Sequence, residues 1–163
     1  MTQIRQYTPA DTQGVIDVIL PIQQSEFGIP ITLEAQPDLL NIPGFYQQGT
    51  GGFWVAEAGG SIVGTIALLD IGNRQAALRK MFVSQTHRGA EHGVARQLLA
   101  TLLDWSRLQG IDQIYLGTTG AFLAAHRFYE KNGFTELARS ELPRTFPVMA
   151  VDTKFYVHSL QRC

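Results

Sequence analysis

What this chain lacks narrows its function before any motif is read. Its 163 residues contain a single cysteine, Cys163, at the last position. One thiol excludes an intrachain disulfide and a cysteine-based zinc cluster, and a nucleophile at a fraying terminus is a poor basis for catalysis. Neither sign of charge dominates: thirteen Lys and Arg stand against fourteen Asp and Glu, a net charge of −1. The chain therefore lacks the basic field of a general nucleic-acid or anionic-membrane binder. The longest apolar stretch, residues 62–71, is broken by Gly64, Thr65 and Asp70 and is too short to span a bilayer. The opening MTQIRQYTPADTQG has no apolar signal-peptide core. These absences lead to the expectation of a soluble cytoplasmic protein with neither nucleic acid nor membrane as partner. With 45% hydrophobic residues, the length suits a single domain over residues 1–163.

The pattern that is present reads as alternating strands and helices. Residues 4–7 alternate as a first strand, and Pro9 sits where a helix can begin. Val15, Ile16, Ile19 and Leu20 give that helix one apolar face, and Pro21 marks its expected end. Prolines 30, 37 and 43 then punctuate residues 22–52 into short helices and loops. Residues 52–58 and 61–70 are β-prone runs joined by Gly59-Gly60, a two-residue hairpin signal, and residues 74–83 make a third run. A long amphipathic helix is predicted over residues 93–109 with Gly110 as its stop. A strand over 111–117, a helix over 122–131, and strands near 134–139 and 152–158 complete the chain. A meander followed by two βα units predicts a mixed α/β fold, a mostly antiparallel central sheet with helices on both faces.

The most informative stretch is residues 78–103, where a strand runs into a glycine-punctuated loop that opens the long helix. Such a junction directs unpaired backbone N–H groups and the positive end of the helix dipole at one spot. Gly89 and Gly93 carry no Cβ to hold an anion away, Ala95 keeps the first turn slim, and Arg88 and Arg96 add positive charge. This is the layout of a pyrophosphate cradle. No G-x-x-x-x-G-K-[ST] occurs, and no G-x-G-x-x-G opens a βαβ unit, which excludes P-loop hydrolases and argues against dinucleotide oxidoreductases.

Three pieces in this order resemble the GNAT superfamily of acyl-CoA N-acyltransferases. They are the strand of residues 78–83 with Arg88-Gly89 and Gly93-Val94-Ala95 after it, the strand of residues 114–117, and the run AHRFYEKNGF from Ala125 to Phe134. The last is similar to the family's A-x-x-[FL]-Y-x-x-x-G-F signature. The resemblance implies a GNAT-like fold, with acetyl-CoA as cosubstrate and its pantetheine arm lying between two parting parallel strands. Met81, Phe82 and Val83 would flank that arm, and Arg88, Gly89, His92, Gly93, Val94, Ala95 and Arg96 would surround the pyrophosphate. Thr118 would line the site near the thioester, with Thr119 beside it. Tyr129 matches the family's general acid, which protonates the departing thiolate. Dimer formation, frequent in the family, is a further expectation.

Two features depart from the family pattern. Ala90, Glu91 and His92 lengthen the R-G-x-G-x-G/A loop by two residues, and Phe122 stands where many members carry an asparagine. An inward Glu91 would repel a pyrophosphate. The strand before the loop reads AALRK and has no carboxylate to serve as base, leaving Glu26, Asp38, Glu57, Asp70 and His126 as candidates. Residues 26–31, Asp38, Phe45-Tyr46 and the loop 143–147 are expected to wall the acceptor site, with Phe146 covering it and Arg144 pairing with a substrate carboxylate. The leading reading is direct acetyl transfer from acetyl-CoA to a primary amine of a small molecule or peptide. A non-catalytic acyl-CoA sensor is the alternative, and a cofactor-free interaction protein a third.

Overall fold

Alternation along the middle runs assigns each strand two partners at once. Phe53 and Val55 point to one face of the sheet while Trp54 and Ala56 point to the other, and all four are buried. A strand covered on both faces reads as a continuous apolar run, which is how GFWVAEA and SIVGTIALL look in the sequence. The computed structural model describes residues 2–89, 91–120 and 122–160, so Ala90 of the loop and Cys163 lie outside the described residues.

The strands are β1 (Thr2–Gln6), β2 (Gly52–Ala58), β3 (Ser61–Gly72), β4 (Gln75–Val83), β5 (Gln113–Thr118), β6 (Thr135–Leu137) and β7 (Lys154–Ser159). They form one seven-stranded sheet in the order β1-β2-β3-β4-β5-β7-β6. Every neighbouring pair is antiparallel except β4 with β5. Gly59 and Gly60, at φ 58° and 82°, make the tight turn between β2 and β3, a geometry that side chains resist.

The helices are α1 (Thr12–Pro21), the short α2 (Pro37–Leu40) and α3 (Ile42–Phe45), α4 (Val94–Leu108) and α5 (Leu123–Lys131). Leu98, Leu99 and Leu102 of α4 pack on Trp54, Ala56, Ile66 and Leu68, and Tyr129 of α5 joins the same cluster. On the opposite face Val15 and Ile19 of α1 pack with Leu39, Ile42, Tyr46, Phe53 and Val55. The expected architecture of helices on both faces is what the chain adopts. Gly64 allows α4 to lie close, since a Cβ there would sit 3.0 Å from Leu98 Cδ1 and 3.3 Å from Val94 Cγ1.

The α-helix stops at Pro21, as its sequence suggests, but the chain stays helical beyond it. Proline has no N–H for the bond one turn back, and the chain responds by widening rather than ending. Residues Ile22–Glu26 continue as a π-helical turn, closed by Phe27 N–H on the Ile22 carbonyl at 3.1 Å. This extra turn delivers Gln23, Glu26 and Phe27 to the end of the sheet where β4 finishes. No helix among the described residues is long and apolar enough to cross a membrane.

The sheet edge at β1 is fastened by charge. Arg5 donates to both oxygens of Asp11 at 2.7 Å and to Glu57 at 2.7 Å, and Asp11 also accepts from the Thr8 N–H at 2.9 Å. The Arg5 guanidinium holds the Asp11 carboxyl down from 3.8 to about 2. A depressed carboxylate contributes stability above its unfolded pKa and loses it as pH falls through the folded one. With Arg5 partly exposed, this amounts to about 1–2 kcal/mol. Asp11→Asn should therefore lower Tm at pH 7, with the deficit closing between pH 4 and pH 2. Thermal melts across that window check it, and a deficit unchanged at pH 2 would refute the assignment.

Candidate active site

Parallel strands β4 and β5 pair at only three positions, Gln75 with Gln113, Ala76 with Ile114 and Ala77 with Tyr115. Beyond these, β4 remains joined to β3 as far as Val83, and β5 to β7 as far as Thr118. The two inner edges therefore part while each stays anchored on its outer neighbour. Residues Leu78, Arg79, Lys80, Met81 and Phe82 form one lip of the resulting cleft, and Leu116, Gly117, Thr118 and Thr119 form the other. Strand edges without a partner leave N–H and C=O groups that an extended ligand can satisfy as an added strand. A bulge re-aims β4 within the cleft: its register with β3 shifts between Thr65 and Ala67, and Lys80 takes φ 53°. Thr65 Oγ1 holds the bulge by donating to the Lys80 carbonyl at 2.6 Å.

Past β4 the loop leads into α4, capped by Gly93 at φ 65° with no side chain filling the first turn. Gln97 N–H is the one that closes on the Gly93 carbonyl, at 3.0 Å. The preceding first-turn N–H groups have no carbonyl one turn back and point outward, a ready seat for an anion. The Arg96 guanidinium lies over this terminus, 3.6 Å from where a Gly93 Cβ would be. Glu91 and His92 are exposed, as expected of the lengthened loop, but the Glu91 carboxylate curls back over Gly89.

Arg88 is engaged elsewhere. Its two Nη atoms meet both oxygens of Glu26 and its Nε donates to the Val83 carbonyl at 2.7 Å. The Arg88 guanidinium lowers the Glu26 carboxyl below its usual value. This fork ties the anion-binding loop to the π-helical turn.

Tyr129 projects from α5 into the cleft, with its ring against Phe128, Phe134 and Tyr156 at centroid distances of 5.8, 5.5 and 6.1 Å. Burial pushes its phenol well above the ordinary tyrosine range, so it stays protonated. The signature around it is explained by packing. Gly133 ends α5 at φ 94°, where a Cβ would strike His158, and Phe134 N–H returns to the Tyr129 carbonyl at 3.0 Å. Phe122, at the N-terminus of α5, stacks on Phe27 at 4.2 Å, and both line the cleft.

None of the five expected bases lines the cleft. Glu26 pairs with Arg88, Glu57 with Arg5, and Asp70 accepts from the Thr50 and Gly72 N–H groups of its turn. His126 is buried with Nε2 at 2.9 Å from the Thr119 carbonyl. Asp38 is buried, accepting from the Tyr46 hydroxyl at 2.6 Å and pairing with Lys80 at 3.4 Å. The carboxylate that does line the cleft is Asp152, which sequence reasoning passed over as a strand start. It lies over Gly117, where any Cβ would collide with it, and accepts from the Met149 N–H at 2.9 Å. Burial raises its pKa. Arg144 is exposed and outside the lining, so the expected carboxylate partner is misplaced; the cations that line the cleft are Arg79 and Lys80.

A sequence model of the acetyltransferase (GNAT) family matches residues 16–134, from α1 to the phenylalanine after Gly133. The chain belongs to the GNAT family. An acetyltransferase of the GNAT family from Staphylococcus aureus Mu50 is 40% identical over 99% of this chain and 100% of that one, with a TM-score of 0.94. N-acetyltransferase family 8 member 2 of Rattus norvegicus is 36% identical over 104 residues, 61% of this chain and 45% of the rat protein. The chain spans about half the length of the curated relatives it matches. N-acetylglutamate synthase from Neisseria gonorrhoeae, complexed with coenzyme A and N-acetyl-glutamate, shares the fold at 20% identity and a TM-score of 0.74, over 99% of this chain and 36% of that one.

Of the residues the GNAT resemblance singled out, Met81, Phe82, Thr118 and Tyr129 line the cleft, whereas Val83 lies past its end. Gly89, His92, Gly93, Val94, Ala95 and Arg96 gather at the α4 terminus, and Arg88 is held back by Glu26. If Arg88 must leave Glu26 to meet a pyrophosphate, Glu26→Gln should tighten coenzyme A. A half-exposed pair is worth about 0–1 kcal/mol, so Kd should fall about 2- to 5-fold. Calorimetric titration checks this, and weaker binding would mean that the fork supports the loop in its binding form.

Proposed function

We propose that the protein is an N-acetyltransferase carrying the acetyl group of acetyl-CoA directly to a primary amine of a small molecule or peptide. The observation that carries this reading is the parting of β4 and β5 beside a glycine-capped helix terminus, with Tyr129 in the same cleft. In this reading the main chain at Met81 and Phe82 pairs with the pantetheine amides, Val83 lying past the cleft with its carbonyl held by Arg88. The first-turn N–H groups of Val94, Ala95 and Arg96 hold the pyrophosphate, since those of His92 and Gly93 already donate to the Gly89 carbonyl at 3.2 Å; the Arg88 guanidinium joins them once released, and Thr118 borders the thioester. The helix terminus suits the ligand through its unsatisfied first-turn N–H groups and the Arg96 guanidinium, once the Glu91 carboxylate swings away from Gly89, and the cleft edges are unpaired.

The acetyl C–N bond forms as the C–S bond breaks. Proximity supplies much of the acceleration by holding both reactants in one cleft. The thiolate leaves into the same apolar surroundings that raise the Tyr129 phenol, so its own proton affinity is raised too, and the hydroxyl can supply the proton. Asp152, across the cleft, is the group that accepts the proton lost by the attacking amine. That carboxylate answers the absence of one on β4, the feature that had motivated a non-catalytic sensor. The cytoplasm as compartment, a homodimer as assembly, and partners that include neither nucleic acid nor membrane belong to the same proposal.

Tyr129→Phe should lower kcat for thiol release from acetyl-CoA by about 100-fold, the usual scale for a positioned acid, with Kd for coenzyme A little changed. Asp152→Asn should lower kcat by about 10- to 100-fold and flatten the rise of rate with pH, since its carboxylate works only when deprotonated. Stopped assays over a panel of amines check both, and wild-type turnover by either mutant would remove that residue's role.

A further inference from the structure

Arg79 is a cation of the cleft for which the described residues supply no carboxylate. Its guanidinium carbon lies over the rings of Phe45 at 5.7 Å and Tyr46 at 5.8 Å from their centroids, and Nη2 meets the Met149 sulfur at 3.5 Å. Lys80, the next residue, is fully engaged: its ammonium donates to Gln36 Oε1 at 2.6 Å and pairs with Asp38 at 3.4 Å. Contact with two rings anchors the Arg79 guanidinium and leaves N–H groups to a ligand. Opposite, Asp152 feels Arg79 electrostatically without forming an ion pair with it. The cleft thus holds a positive and a negative group apart, between apolar walls that include Phe27, Ile29, Phe146 and Val151.

We propose that Arg79 reads a carboxylate on the acceptor, so that the amine acetylated belongs to a small amino acid with an apolar body. This rests on the acetyltransferase reading and narrows it. A planar fork held in an apolar cleft binds a carboxylate through two parallel charge-assisted hydrogen bonds. The acceptor's amine then faces Asp152, and its apolar body meets the aromatic and aliphatic walls. A polyamine would instead bring positive charge toward Arg79 and Lys80, which the site opposes.

The test is thiol release from acetyl-CoA with leucine and phenylalanine, their carboxamides and their decarboxylated amines, and spermidine. The expected result is a kcat/KM for the acids at least 10-fold above that of the carboxamides, although the carboxamide amine is the more readily deprotonated. Arg79→Gln should bring the acid-to-amide ratio down to about one, a loss of about 10-fold or more. Arg79→Lys, which keeps the charge without the fork, should restore part of it. An unaltered KM for acetyl-CoA and melting temperature show that the variants are folded. Turnover of carboxamides or spermidine at or above that of the acids overturns this inference alone. No thiol release with any amine, together with no thermal shift by acetyl-CoA, removes the acetyltransferase reading and this inference with it.

Discussion

The failure of β4 and β5 to remain paired is the constraint on which the rest of the structure depends. Two adjacent parallel strands would ordinarily hydrogen-bond along their length, and unpaired backbone groups inside a protein are costly. Here pairing stops after Ala77 and Tyr115, because each strand is held more extensively by its outer neighbour. The bulge at Lys80 turns β4 one way, and the Asp152 carboxylate resting on Gly117 occupies the other side. The sheet therefore carries a built-in gap whose edges already have the hydrogen-bonding pattern of a missing strand.

Polar networks hold that gap on the side of α2 and α3. Lys80, Asp38, Tyr46, Gln36 and Gln23 form one connected set: Gln23 and Gln36 exchange amide hydrogen bonds of 3.1 and 2.9 Å, and Gln36 accepts from Lys80. Burial pulls the Lys80 ammonium below its usual pKa while Asp38 opposes the fall. A buried pair of this sort adds little net stability, but losing one partner leaves an uncompensated charge worth about 3–5 kcal/mol. Its role fits geometry better than stability: it fixes the bulge and the Tyr46 ring over which Arg79 lies. On the other side Tyr129 of α5 does the equivalent work with aromatic rings, meeting Phe134 edge to face and Tyr156 at a tilt.

Much of the framework was legible in the sequence. Gly59-Gly60, the leucine spacing of α4, and the glycines at 93, 110 and 133 each mark a local backbone event, and the structure places each near its expected position. The Tyr129 to Phe134 run was legible for the same reason, since its glycine and phenylalanine serve contacts only a few residues away. Pro21 marked the end of α1 but not the turn after it, because proline forbids one hydrogen bond without dictating what the chain does next. The resulting π-helical turn depends on partners 60 residues distant, such as Arg88 for Glu26. Asp152, Arg79 and Lys80 were read as strand residues because their roles arise from a bulge and a loop crossing that no local pattern encodes.

Sequence alone settled the elements, their order, the glycine-capped helix terminus and the family signature, because those rest on contacts within a turn or two of the chain. Tertiary structure alone decided which charges share the cleft. It paired Glu26, Asp38 and Glu57 with basic partners, and brought Arg79 and Asp152 to the lining of the cleft. Whether a carboxylate is a base or half of an ion pair depends on its distance from a counter-charge, and that distance is set by how the sheet twists and where its loops return.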